Sequence, residues 1–175
     1  MALKQHSTVR EGLIAGLLGA IAVAVWYFVV DTAFGRPFHT PNALGKVFFR
    51  GDLQPGVRNI IPGIVAGYTV VHVIMFVLLG TGLIGLAHLV SRNLDLRMGL
   101  WIGFVVATAF LIGITYALAT ATGERVPLWS VVGGSVIGVG SMAWYAWRRH
   151  PRLASAAPLG AEEESPPHAP GVPRA

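Results

Sequence analysis

Residues 63–90, GIVAGYTVVHVIMFVLLGTGLIGLAHLV, run for 28 positions without an Asp, Glu, Lys or Arg. A helix rising about 1.5 Å per residue needs about 20 apolar residues to cross a hydrocarbon core of about 30 Å, so this run reads as a membrane span. It also carries His72 and His88, the two histidines placed at membrane depth.

The rest of the 175-residue chain agrees with that reading, being 54% hydrophobic and only 12% charged. A soluble domain carries about a quarter charged residues. The connections outside the apolar runs are too short to build a second core, so one membrane domain is expected. A formal charge of +5 raises the question of nucleic acid. The basic residues, however, sit just outside the apolar runs and not along one face, which marks them as membrane anchors and removes nucleic acid as a partner. Cysteine is absent, and with it disulfides, thiolate metal sites and a Cys nucleophile.

Three further spans are expected at about 12–30, 98–120 and 128–147, with the central one at 64–90, which makes an all-α, four-transmembrane-helix bundle. The run at 12–30 exceeds a signal-peptide core and ends in Trp26-Tyr27-Phe28 in place of a small-residue cleavage site, so it is kept as a span. Small residues recur every fourth position: Gly12 and Gly16, Gly63 and Gly67, Gly99 and Gly103, Gly134 and Gly138. Such stripes let helices approach closely and are read as packing surfaces. Glu11 at the start of the first span complements the helix dipole. Trp26 and Tyr27 are expected in an aromatic belt.

The connection at 31–63 is too long to be structureless. Thr40-Pro41 reads as the start of a short amphipathic helix over about 41–50, with Thr40 as N-cap and Gly51 as the stop. Ala43, Leu44, Val47 and Phe48 would form its apolar face, and Asn42, Lys46 and Arg50 its polar one, so it is expected to lie on the membrane surface. After the basic stop Arg148-Arg149-His150-Pro151-Arg152, residues 151–175 are rich in Ala and Pro and are expected to be a disordered tail. Lys4, Arg10, Arg92, Arg97, Arg148, Arg149 and Arg152 fall on the side of the termini. They outnumber Arg36, Lys46, Arg50, Arg58 and Arg125 on the other side, so both termini are expected in the cytoplasm.

Asp31, His39 and His72 are the candidate site. Asp31 ends the first span, where the helix dipole disfavours a carboxylate and calls for a partner. All three residues belong to the outer side and can converge as metal ligands or an acid–base pair. The bland readings are a salt bridge or cap at Asp31 and a hydrogen-bonded interfacial histidine at His72. Haem fits poorly. Sixteen residues turn a helix by about 1600°, which places His72 and His88 on nearly opposite faces, and the other spans offer no histidine ligand. No cofactor is expected. No HExxH, GxSxG or phosphate-loop motif is present, and no charge lies at mid-membrane to serve transport.

The first segment, EGLIAGLLGAIAVAVWYFVVDTAFGRPFHTPNALG, resembles the N-terminal part of small bacterial integral membrane proteins with four predicted spans and no assigned activity. The pattern lies in the Gly/Ala-rich span ending in Asp31, then Gly35-Arg36-Pro37, Thr40-Pro41 and Leu44-Gly45. The resemblance implies the bacterial inner membrane and carries over no activity. The leading functional expectation is a non-enzymatic accessory or interaction subunit, in contact with the lipid bilayer and associating with itself or a larger membrane complex. A membrane enzyme, metal or haem protein using Asp31, His39 and His72 is the alternative, and a small channel or transporter the third.

Overall fold

The computed structural model describes residues 7–52, 59–92, 97–121 and 127–150. The tail from 151 onward, the Gln54-Pro55-Gly56 turn and the polar turns at 93–96 and 122–126 lie outside the described residues. The described chain forms five helices: α1 Thr8–Ala33, α2 His39–Arg50, α3 Pro62–Arg92, α4 Arg97–Ala121 and α5 Leu128–Arg149. All but α2 are long and apolar enough to cross a membrane, so the protein is an all-α, four-span membrane protein.

Local chemistry sets where each helix begins and ends. The Ser7 hydroxyl oxygen accepts from the Arg10 amide at 3.4 Å and caps α1, with Glu11 in the first turn, so the helix starts ahead of the apolar run. Gly35, at φ +69°, turns the chain after the C-cap Phe34. Pro62 opens α3, where its fixed φ and missing N–H cost nothing. At 31 residues α3 is about 46 Å long and overshoots the hydrocarbon core.

The spans follow an up–down–up–down order in which α1 neighbours α3 and α5, while α4 closes the ring against α3 and α5. The start of α1 and the end of α5 therefore lie at one end of the bundle, and α2 lies at the other. The densest contact is between α1 and α3. A Cβ placed on Gly16 would sit 2.5 Å from Val77 Cα, one on Gly12 2.5 Å from Thr81 Cα, and one on Gly80 2.5 Å from the Gly16 nitrogen. Here the two backbones touch, which only glycine permits. Lipid tails are as apolar as the side chains, so close van der Waals packing and not water exclusion holds such a seam.

The other glycines divide by environment. Gly138 faces Val23 and Phe76, Gly134 faces the Trp26 and Tyr27 rings, Gly103 faces Leu86, and Gly67 faces Phe49. At Gly63 and Gly99 none of the described residues lies within 4 Å of an added Cβ. Trp26 turns inward: its Nε1–H donates to the Ser130 carbonyl at 2.9 Å, and its ring meets Trp129 edge-on at 6.1 Å, tying α1 to α5.

The core is filled unevenly. Toward the chain termini Ile84, Ala87, Val90, Leu100, Phe104, Met142 and Tyr145 pack together in the centre of the ring. Toward α2 the diagonal space is left partly open.

Candidate functional site

The open space at the α2 end is a chamber of about 530 Å³ with walls from all five helices. That volume is typical of small-molecule sites. Its deeper wall is apolar, from Val23, Met75, Phe76, Phe110 and Leu111, with Gly134 and Ser135 from α5. Most groups carrying polar atoms, Tyr27, Asp31, Thr40, Tyr68, Thr69 and His72, come from the last turns of α1 and the first turns of α2 and α3, with Thr115 from α4 and Ser135 from α5. The lining is thus mainly apolar throughout, since Phe38, Leu44 and Phe48 also face it at the α2 end, with most of its polar groups gathered beneath α2.

Asp31 holds α2 in place as a lid. Its two carboxylate oxygens accept from the Thr40 amide and the Thr40 hydroxyl, each at 2.7 Å, and the residue is 5% exposed. A carboxylate nine residues upstream thus does the work of a helix N-cap. The helix can consequently begin at His39, earlier than a cap by Thr40 itself would allow, with Phe38 as a left-handed N-cap at φ 63°. At the other flank the Asn42 side chain donates to the Asn59 carbonyl at 3.2 Å and accepts from the Ile61 amide at 3.0 Å. This pins α2 to the chain entering α3.

The lid also differs from the expected helix in its faces. Ala43 and Leu44 are buried as expected, yet Asn42 and Lys46 are buried too, and Phe48 and Phe49 are exposed. The hydrogen-bonding needs of the connection draw the polar face toward the bundle, while exposed aromatic rings suit a lipid-facing surface.

The structure brings Asp31 and His72 to one chamber, whereas His39 begins α2 half-buried and outside the chamber lining. The His72 ring lies 4.6 Å from the Phe76 ring, and its Nε2 lies 3.2 Å from the Ala20 carbonyl of α1. A carbonyl only accepts, so Nε2 carries the proton and donates.

His88 also reaches α1, despite a nominal rotation that sets it nearly opposite His72. Residues 72, 76, 80, 84 and 88 form an i+4 ridge that winds slowly round α3, and α1 crosses α3 along that ridge. Gly80 meets Gly12 and Gly16 midway along it.

At the termini end His88 belongs to a second polar cluster. Its Nε2 lies 3.2 Å from Glu11 Oε2, and its Nδ1 lies 2.7 Å from the Thr8 hydroxyl. His150 Nε2, just past α5, lies 3.1 Å from the same Glu11 oxygen, and the two imidazoles meet edge-on at 4.8 Å. Glu11 is 6% exposed. Sequence reasoning assigned Glu11 to the helix dipole and His150 to the basic stop. The usable signal was depth: the start of α1 and the ends of α3 and α5 share one end of an even-span bundle.

No family model, no curated protein and no solved structure matches the chain.

Proposed function

We propose that this chain is a small membrane protein that holds an amphiphile of the bilayer, a lipid or lipid-soluble compound with a hydrogen-bonding head, in the chamber beneath α2. The mixed lining of the chamber carries the reading: hydroxyl, carboxylate and imidazole groups gathered mostly toward the α2 end of a largely apolar wall. The apolar body of the ligand lies along Phe76, Met75 and Leu111, and its head meets Tyr27, Tyr68 and the Asp31–Thr40 pair. Binding without turnover is favoured because both Asp31 oxygens already serve α2 and the His72 Nε2 proton is engaged by Ala20. An enzyme built on Asp31, His39 and His72 draws less support for the same reason.

A second reading, an accessory subunit of a larger membrane complex, draws on α4, the least buried span. Its Ala109, Gly113 and Ala117 form an exposed stripe at four-residue spacing, and none of the described residues lies within 4 Å of a Cβ added at Gly113. The two readings are compatible. The charge distribution and the resemblance support a bacterial inner membrane with both termini in the cytoplasm.

The test is native mass spectrometry of the complex extracted from its own membranes in mild detergent, with every bound component identified. The chamber reading expects a lipid-sized adduct that is lost when Met75→Trp fills the chamber. A bare chain, or an adduct unchanged by Met75→Trp, rejects it. Co-purifying membrane proteins that dissociate on Gly113→Leu would support the accessory reading.

A further inference from the structure

The termini end of the bundle, opposite the chamber and independent of the reading given to it, has the chemistry of a metal centre. We infer that Glu11, His88 and His150 form a site for a divalent transition-metal ion of the zinc class. The donor set is one carboxylate and two imidazoles, which suits zinc and its neighbours and disfavours magnesium or calcium, whose shells are built from oxygen. The three donor atoms lie within 4.8 Å of one another, on α1, on α3 and just beyond α5.

The spacing is close to that of a loaded site. Two ligands held tetrahedrally at about 2.1 Å from an ion stand about 3.4 Å apart. Both imidazole Nε2 atoms converge on one carboxylate oxygen at 3.2 and 3.1 Å, so an ion would require only small side-chain shifts. The His88 and His150 side chains are 18% and 12% exposed, which leaves a path for the ion while excluding most bulk water.

Thr8 is the positioning residue. Without metal, Nε2 of a neutral His88 can donate to Glu11 while the Thr8 hydroxyl donates to Nδ1. With metal, Nε2 must present its lone pair, so the proton moves to Nδ1. The Thr8 oxygen then accepts it, because a hydroxyl serves either tautomer. Such an outer hydrogen bond sets ring orientation and the basicity of the ligand nitrogen. The ion would link three of the four spans at the end where α1 begins and α5 finishes.

The competing account is a hydrogen-bonded Glu–His–His clamp with no ion. The experiment uses the full chain in lipid nanodiscs, purified on a histidine-free tag and stripped with chelator, then titrated calorimetrically with Zn²⁺. Co²⁺ serves in parallel as an optical reporter of tetrahedral coordination. Stoichiometric Zn²⁺ binding and a tetrahedral Co²⁺ spectrum in the unaltered protein are expected. Glu11→Gln, His88→Ala and His150→Ala should each weaken binding at least tenfold. Thr8→Val should weaken it by about 10- to 100-fold, with Thr8→Ser restoring it. His39→Ala should bind as the unaltered protein does. Absence of stoichiometric binding in the unaltered chain establishes the clamp and overturns the site, even if no variant folds. Binding that survives all three ligand substitutions places the metal elsewhere and overturns it equally.

Discussion

Among the described residues each end of this bundle buries one carboxylate, and the two are used differently. Asp31, beneath α2, is met by a backbone N–H and a hydroxyl from one residue, Thr40. Glu11, at the termini end, is met by two imidazoles from separate elements. An amide N–H can do nothing but donate, so Asp31 is locked into capping a helix. An imidazole nitrogen can trade its proton for a metal, so Glu11 sits where ligand exchange is chemically open. Similar burial thus gives a structural clasp in one place and a metal-competent cluster in the other.

The comparison breaks first at the seam that supports both ends. Gly16→Leu drives a side chain into the Phe76–Val77 backbone and should cost about 3 kcal/mol or more, read as the loss of a cooperative unfolding transition in detergent. Metal binding and chamber binding should fail together, and retention of either would show that the end concerned does not depend on the seam.

Asp31→Ala separates the ends. Loss of the cap should cost about 1–3 kcal/mol and speed hydrogen exchange at the Thr40 amide, while Zn²⁺ affinity stays within about twofold, since sites this far apart act independently. A matching fall in Zn²⁺ affinity would mean that the ends are coupled. Asn42→Ala removes the second clasp on α2 and should cost about 1–2 kcal/mol in the same unfolding assay, again with the metal end unchanged.

The smallest effect concerns the Tyr145 hydroxyl, buried in the core without a hydrogen-bond partner among the described residues. Tyr145→Phe keeps the ring beneath Arg149 and removes an unsatisfied group. Thermal unfolding should show no loss and a gain of up to about 1 kcal/mol. A clear destabilisation would reveal a partner for that hydroxyl.

The spans themselves were legible because each is a local property: a long uncharged run such as 63–90 can satisfy its backbone in lipid only as a helix. Asp31 was legible as a residue in need of a partner, since a carboxylate at a helix C-terminus is unfavourable in any fold. That its partner would be Thr40, and that α2 would consequently begin at His39, depended on how the chain turns at Gly35 and Phe38. That Asn42 would be buried was not legible, because amphipathicity alone does not say that it must serve the Asn59 carbonyl and the Ile61 amide.

The amino-acid sequence by itself determined the membrane, the number of crossings and the glycine positions available for close packing, because hydrophobicity and length act residue by residue along the chain. Only the tertiary structure decided which glycines meet a neighbour, where the ring of helices stays open, and that Glu11, His88 and His150, up to 139 positions apart, share one point. Those outcomes depend on the crossing of α1 along the winding ridge of α3 and on the return of α5 beside α1, which are relations between helices.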